Sequence, residues 1–217
     1  MEVLIPDFKG NEENIQRAGS LKDQWIVPCG VSTAGPWETK NFVGTYVSSF
    51  DPNIPPRVFE EWYSAFLPRS NGTRIKPGIM KTFHSDRMWV LAQLIKSGAP
   101  LLPGSETGSG LPLVFPGFSL HEELRLFQGL GMKSKPLMDA ASIESARALD
   151  KEGEIGKVAK GHRADLVILD HNPLENIEHY RDIYGVMTNG FWLGPKEMEW
   201  IKTSLGEKSP LKPRKTK

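Results

Sequence analysis

The chain is 217 residues long, 39% hydrophobic and 24% charged, with a formal net charge of +1. That length holds one sizeable core, or one core and a small accessory layer, and the composition is that of an ordinary soluble globular protein. A near-zero net charge excludes a global field aimed at nucleic acid or at a membrane surface, so neither is expected as a partner. Cys29 is the only cysteine. An internal disulfide and a CxxC or Cys/His zinc spacing are therefore excluded, and a reducing, cytoplasmic compartment is the default expectation. The N-terminus has no basic region followed by an apolar run, and no segment approaches about eighteen apolar residues. Neither a signal peptide nor a membrane span is expected. Asn71-Gly72-Thr73 fits a glycosylation triplet, but without a secretory signal it reads as a turn.

In chain order, Asn11 to Gly19 reads as a short helix. Gln24-Trp25-Ile26-Val27-Pro28 is an apolar run that suits a buried strand. Residues 30–55 carry turn formers and aromatics without a clear period and read as loop. Arg57 to Leu67 is helical, with Val58, Phe59, Trp62 and Phe66 on one face, and a second loop follows to Lys76. Pro77 to Ser97 is the longest predicted helix. Pro77 suits its first turn, Gly98 its end, and Phe83, Val90, Leu91, Leu94 and Ile95 form its apolar stripe.

Ala99 to Pro103 is a predicted strand running into a small-residue loop, Gly104-Ser105-Glu106-Thr107-Gly108. Ser119-Leu120-His121-Glu122 has the form of a capping box, with Ser119 at the N-cap and Glu122 at N3. A further helix spans Pro136 to Leu149. After Asp150, strands are predicted over Ile155–Val158, Ala164–Leu169, Ile183–Thr188 and Phe191–Leu193. Asn189-Gly190 is a strong hairpin turn. Pro195 to Leu205 is a closing helix, and the basic tail from Gly206 to Lys217 has too little to bury to order itself.

A strand that ends in a loop holding one acid, followed by a helix, is how an α/β barrel presents a catalytic carboxylate. The stretch Ala99–Leu193 resembles the C-terminal end of the amidohydrolase superfamily, closest to its imidazolonepropionase-like and prolidase-like members. Gly104-Ser105-Glu106-Thr107-Gly108 stands where that family's strand 8 carries its Asp. Pro116-Gly117-Phe118-Ser119-Leu120-His121-Glu122-Glu123-Leu124 matches the following loop and helix. The run Gly153 to Val167, with Asp170-His171-Asn172-Pro173-Leu174 and Val186-Met187-Thr188-Asn189-Gly190, matches the return into a β-sandwich subdomain. Trp25-Ile26-Val27-Pro28 is a looser match to strand 7.

The resemblance implies the C-terminal part of a (β/α)8 barrel, about strands 7 and 8, over residues 1–150. It also implies a β-sandwich segment over 151–193, a closing helix over 194–205 and a disordered tail over 206–217. It implies a metal-dependent hydrolase of C–N bonds in amides or cyclic amides, with a small-molecule substrate. A divalent metal, zinc by expectation, activates water in the complete family site, and the strand 8 acid takes that water's proton. Glu106 is accordingly the candidate catalytic residue and metal ligand, and His121 the candidate substrate contact.

The sequence departs from the family in two ways. His84, His121, His162, His171 and His179 are its only histidines. They form no HxH pair and align with no family ligand, so strands 1–6 would lie upstream of Met1. At the acid position Glu replaces Asp, which lengthens the side chain by one torsion. Two functions stay open. One is an amidohydrolase completed by another chain; the other is a silent remnant that holds no metal and serves as a binding module or nothing.

The individual residues keep their plainer readings too. Glu106 is either the strand 8 acid or a carboxylate in a polar loop, and His121 either touches substrate or is an exposed helix residue. His84 reads as structural, and His162, His171 and His179 read as sandwich surface. Arg163 and Asp165 suit a local ion pair or turn anchor. Cys29 suits a buried small apolar residue rather than a nucleophile.

Overall fold

The computed structural model describes residues 12–20, 24–31, 77–107, 114 and 116–207. The helix expected over 57–67, the loop after it, the expected loop 30–55 beyond Val31 and the tail beyond 207 lie outside the described residues, while Gly30 and Val31 form a helical turn. Helix α1 (Glu12–Gly19) packs on α2 (Pro77–Ser97), whose bounds are those that Pro77 and Gly98 dictate. Gly98 ends α2 in the left-handed region at φ 74°, which glycine adopts without strain. Leu91 and Leu94 of the expected stripe are buried, with Val90 and Ile95 packed beside them. The side chains of Phe83 and His84 lie outside the described residues.

The two apolar runs expected as neighbouring barrel strands do meet, through a parallel bridge between Ile26 and Leu101. The Ile26 N–H donates to the Pro100 carbonyl and the Leu102 N–H to the Ile26 carbonyl, both at 2.9 Å. Both segments point their C-terminal ends the same way. Helix α3 (Phe118–Gly129) packs across this pair, and Leu124 and Phe127 join Ile15, Leu91, Leu94, Ala99, Leu101, Leu137 and Ile177 in one core.

The capping box is not what starts α3. Gly117, left-handed at φ 74°, occupies the N-cap, and no side chain caps the helix. This shift places Ser119 inside the first turn, fully buried, while Glu122 is drawn away by Arg181 and Arg125. The next helix begins at Ser134 rather than Pro136: α4 (Ser134–Asp139) runs through a π-helical turn (Ala140–Glu144) into α5 (Ser145–Ala148). Within it the Ser145 hydroxyl donates to the Ala140 carbonyl at 2.7 Å, which supports the wider turn.

Residues 155–157 form bends and Val158 has no regular structure, instead of the expected strand. Gly156 sits at φ 90°, and a Cβ there would lie 2.8 Å from the Ala146 Cβ. Close apposition to the helix therefore bends the chain out of strand geometry. Strand β1 (Leu166–Leu169) then pairs antiparallel with β2 (Ile183–Thr188), and β2 with β3 (Phe191–Leu193), in the order β1-β2-β3. The register sets Val167 opposite Val186 and Met187 opposite Trp192, with an irregularity between Ile168 and Leu169.

Asn189 and Gly190 are both left-handed, at φ 47° and 81°, as the hairpin signal requires. A 3-10 helix over Ile177–Arg181, absent from the sequence reading, starts at Asn176, whose side chain accepts from the Glu178 N–H. Helix α6 (Pro195–Glu207) covers β2 and β3 and runs two residues beyond the predicted Leu205, so Gly206 and Glu207 are helical rather than tail. Among the described residues no helix is long and apolar enough to cross a membrane.

Candidate functional site

The mouth of the parallel pair gathers Glu106, Cys29, Arg87 and Glu123. Glu106 is exposed on the loop after Leu101–Leu102, itself left-handed at φ 54°, in a loop where Ser105 Oγ and Thr107 Oγ1 share a 2.7 Å hydrogen bond. The two segments approach closely because residue 104 is glycine. A Cβ at Gly104 would stand 2.4 Å from Val27 Cγ1 and 3.5 Å from Cys29 Sγ.

Cys29 is buried and left-handed at φ 48°. Burial pushes its thiol up to about 12, helped by the negative charges of Glu106 and Glu123. A thiol held that high is no nucleophile near neutral pH, so the expectation of a buried small residue stands. Arg87, from α2, donates from Nη2 to the Pro28 carbonyl at 3.3 Å. Burial lowers its pKa, and the charges of Glu106 and Glu123 oppose that shift.

Glu123 was not singled out by the sequence. Its side chain is completely buried: Oε1 accepts the Gly30 N–H at 2.9 Å and Oε2 the Val31 N–H at 2.8 Å. Burial raises its pKa to about 7; the two N–H bonds and Arg87 pull it down, and Glu106 adds to the rise. One signal was available. Glu123 lies four residues after Ser119 and four before Phe127, on the face of α3 that is buried. Arg87 carried no comparable signal, since α2 has charged residues on several faces.

His121 faces a different neighbourhood. It is half-buried, its Nδ1 lacks a hydrogen-bond partner, and burial together with Arg181 lowers its pKa, against Glu122 and Glu178. Its charged surroundings thus belong to the 3-10 helix side of α3, while those of Glu123 belong to the mouth. The other described histidines are tied locally. His162 Nε2 lies 3.1 Å from the Glu152 carbonyl, His171 Nδ1 2.9 Å from Asp182 Oδ2, and His179 Nδ1 2.7 Å from the Asn172 carbonyl. Arg163 pairs with Asp165, whose Oδ1 also accepts the Asn189 N–H at 2.7 Å, so this pair anchors the hairpin turn.

Among the described residues no group of three or more His, Cys, Asp or Glu side chains could hold a metal ion. The donor set at the mouth does not fit one either. Glu106 shares it with a guanidinium, a thiol that stays protonated, and a second carboxylate whose two oxygens are occupied by backbone N–H groups. What the arrangement offers chemically is one solvent-facing carboxylate at the C-terminal end of a parallel pair, backed by the half-buried guanidinium of Arg87.

Among the described residues the chain is mixed α/β, with one parallel bridge beside its helices and a three-stranded antiparallel sheet. The Xaa-Pro dipeptidase structure with bound methionine superposes at TM-score 0.58 and 16% identity, over 85% of this chain and 37% of that one. Molinate hydrolase superposes at TM-score 0.55 and 17% identity, over 95% and 39%. Residues 91–193 match the amidohydrolase family, so the resemblance to that superfamily holds over this stretch. The imidazolonepropionase of Caldanaerobacter subterraneus subsp. tengcongensis is 29% identical over 118 residues, 52% of this chain. The chain spans about a quarter of the length of that relative, 26%.

Proposed function

We propose that residues 91–193 are the closing end of an amidohydrolase barrel and its sandwich subdomain, and that the protein hydrolyses C–N bonds of the amide or cyclic amide class. One observation carries this reading: Glu106 lies at the C-terminal end of the Ile26–Leu101 parallel pair, where barrel enzymes keep their catalytic side chains. In the family a divalent metal supplies activated water. The described residues do not fit that metal, so its remaining donors come from outside them, in this chain or in a complementing one. The chain's own part at the mouth is to hold a carboxylate where a proton is to be taken up, with Arg87 behind it.

The unfit donor set equally supports a second reading, a catalytically silent amidohydrolase relative that binds a small molecule or nothing. The test is zinc titration of the purified chain, followed by assays on cyclic amides and Xaa-Pro dipeptides with wild type and Glu106→Gln. The hydrolase reading expects turnover that falls at least about a hundredfold in Glu106→Gln, the lower range for losing a general base. Absence of turnover on both substrate classes, with zinc present, supports the silent relative.

A further inference from the structure

Glu123 makes an unusual bond. Its two oxygens take the N–H groups of two consecutive residues, Gly30 and Val31, immediately after the left-handed Cys29. A left-handed residue followed by a helical turn points successive N–H groups to one side, forming a small concavity that prefers an anion. Here the anion is a side chain from α3, more than ninety residues away in sequence, at separations of 93 and 92. Gly30 makes room for α3 itself: a Cβ there would lie 2.4 Å from Leu126 Cδ2, while its 3.5 Å distance to Glu123 Oε2 is an ordinary contact.

We propose that Glu123 is a positioning residue for the mouth, a latch that clamps Gly30 and Val31, keeps Cys29 left-handed, and so sets the turn at 29–31 against the Glu106 loop. Its relevance to catalysis rests on the reading of that mouth as the active site; the latch itself does not. A non-glycine residue at positive φ persists only when its surroundings impose it, and the clamp on the next two N–H groups is one of the contacts that do so. An amide in place of the carboxylate keeps one acceptor and turns a donor toward the second N–H. Burial raises the Glu123 pKa in the closed turn, so the closed turn binds the proton more tightly than an open, solvated one, and the substitution rather than acid is the way to break the clamp. The charged and titratable groups facing it are Arg87 from α2, which favours the anion, Glu106, which opposes it, and the Cys29 thiol.

The test uses the full chain and two local probes, alkylation of Cys29 and hydrogen exchange at the Gly30 and Val31 amides. Both report opening of the turn when opening is fast and rare. Glu123→Gln is expected to raise both rates about tenfold at pH 8, while exchange in the β2–β3 hairpin stays at the wild-type rate. Unchanged rates in Glu123→Gln overturn the latch. So does hairpin exchange that rises in step, which would mean general loss of stability. Glu123→Ala adds a second measurement if it folds, and Glu123→Gln keeps the test decisive if it does not. A chain with no hydrolytic activity gives the same alkylation and exchange results, so the latch and the proposed function fail separately.

Discussion

Glu123 at the mouth and Asp165 at the hairpin make the same bond in opposite settings. Each is a carboxylate that accepts a backbone N–H, at 2.9 and 2.8 Å for Glu123 and 2.7 Å for Asp165. Glu123 is removed from water, and burial outweighs its hydrogen bonds and drives its pKa up to about 7. Asp165 stays in water, and the Asn189 N–H, then Arg163, hold its carboxyl below the usual range. A hydrogen bond therefore does not decide a carboxylate's behaviour; the solvent it gave up does.

The most severe break of this comparison is Glu123→Ala, which strands two buried N–H groups. At roughly 1–3 kcal/mol for each orphaned donor, about 3 kcal/mol of stability is expected to be lost in urea unfolding. Next comes pH. A carboxyl whose folded pKa is raised binds its proton more tightly in the folded state, so stability falls as pH rises from about 4.5 to about 7. The drop from this group reaches at most about 3 kcal/mol, and Glu123→Gln is expected to flatten the curve there. Asp165 works the other way: its contribution is present above the usual carboxylate range and fades on acidification.

A smaller effect is expected in the sheet. A Cβ at Gly185 would lie 2.3 Å from Trp192 Cη2 and 2.9 Å from the Leu193 carbonyl oxygen. Gly185→Ala is expected to cost about 1.5 kcal/mol in thermal unfolding, because the indole can swing outward but the backbone cannot. The smallest change is Arg163→Ala, which removes an exposed ion pair and is expected to leave the urea midpoint unmoved.

Features fixed by neighbouring residues were legible in the sequence. Pro77 and Gly98 bracket α2, and Asn189-Gly190 marks the hairpin, because each acts through its own backbone. Features fixed by tertiary contact were not. Ser119 and Glu122 spell a capping box, yet the left-handed Gly117 starts the helix two residues before Ser119 and Arg181 takes Glu122. The strand expected at Ile155–Val158 yields to the close contact of Gly156 with Ala146. At the mouth, the acid-bearing loop could be read from residues 104–108, but the partners of Glu123 lie in a segment that no local pattern connects to it.

That separation also bears on how the chain assembles. The hairpin joins Thr188 to Phe191 across two residues, a closure of the kind that takes microseconds. The mouth joins Ile26 to Leu101, and Gly30 to Glu123 across 93 positions, so its contacts form only after a large loop has lost its freedom. The β2–β3 hairpin is thus expected to form before the mouth. Stopped-flow folding is expected to show hairpin signals ahead of burial of the mouth, and simultaneous appearance of both would overturn that order.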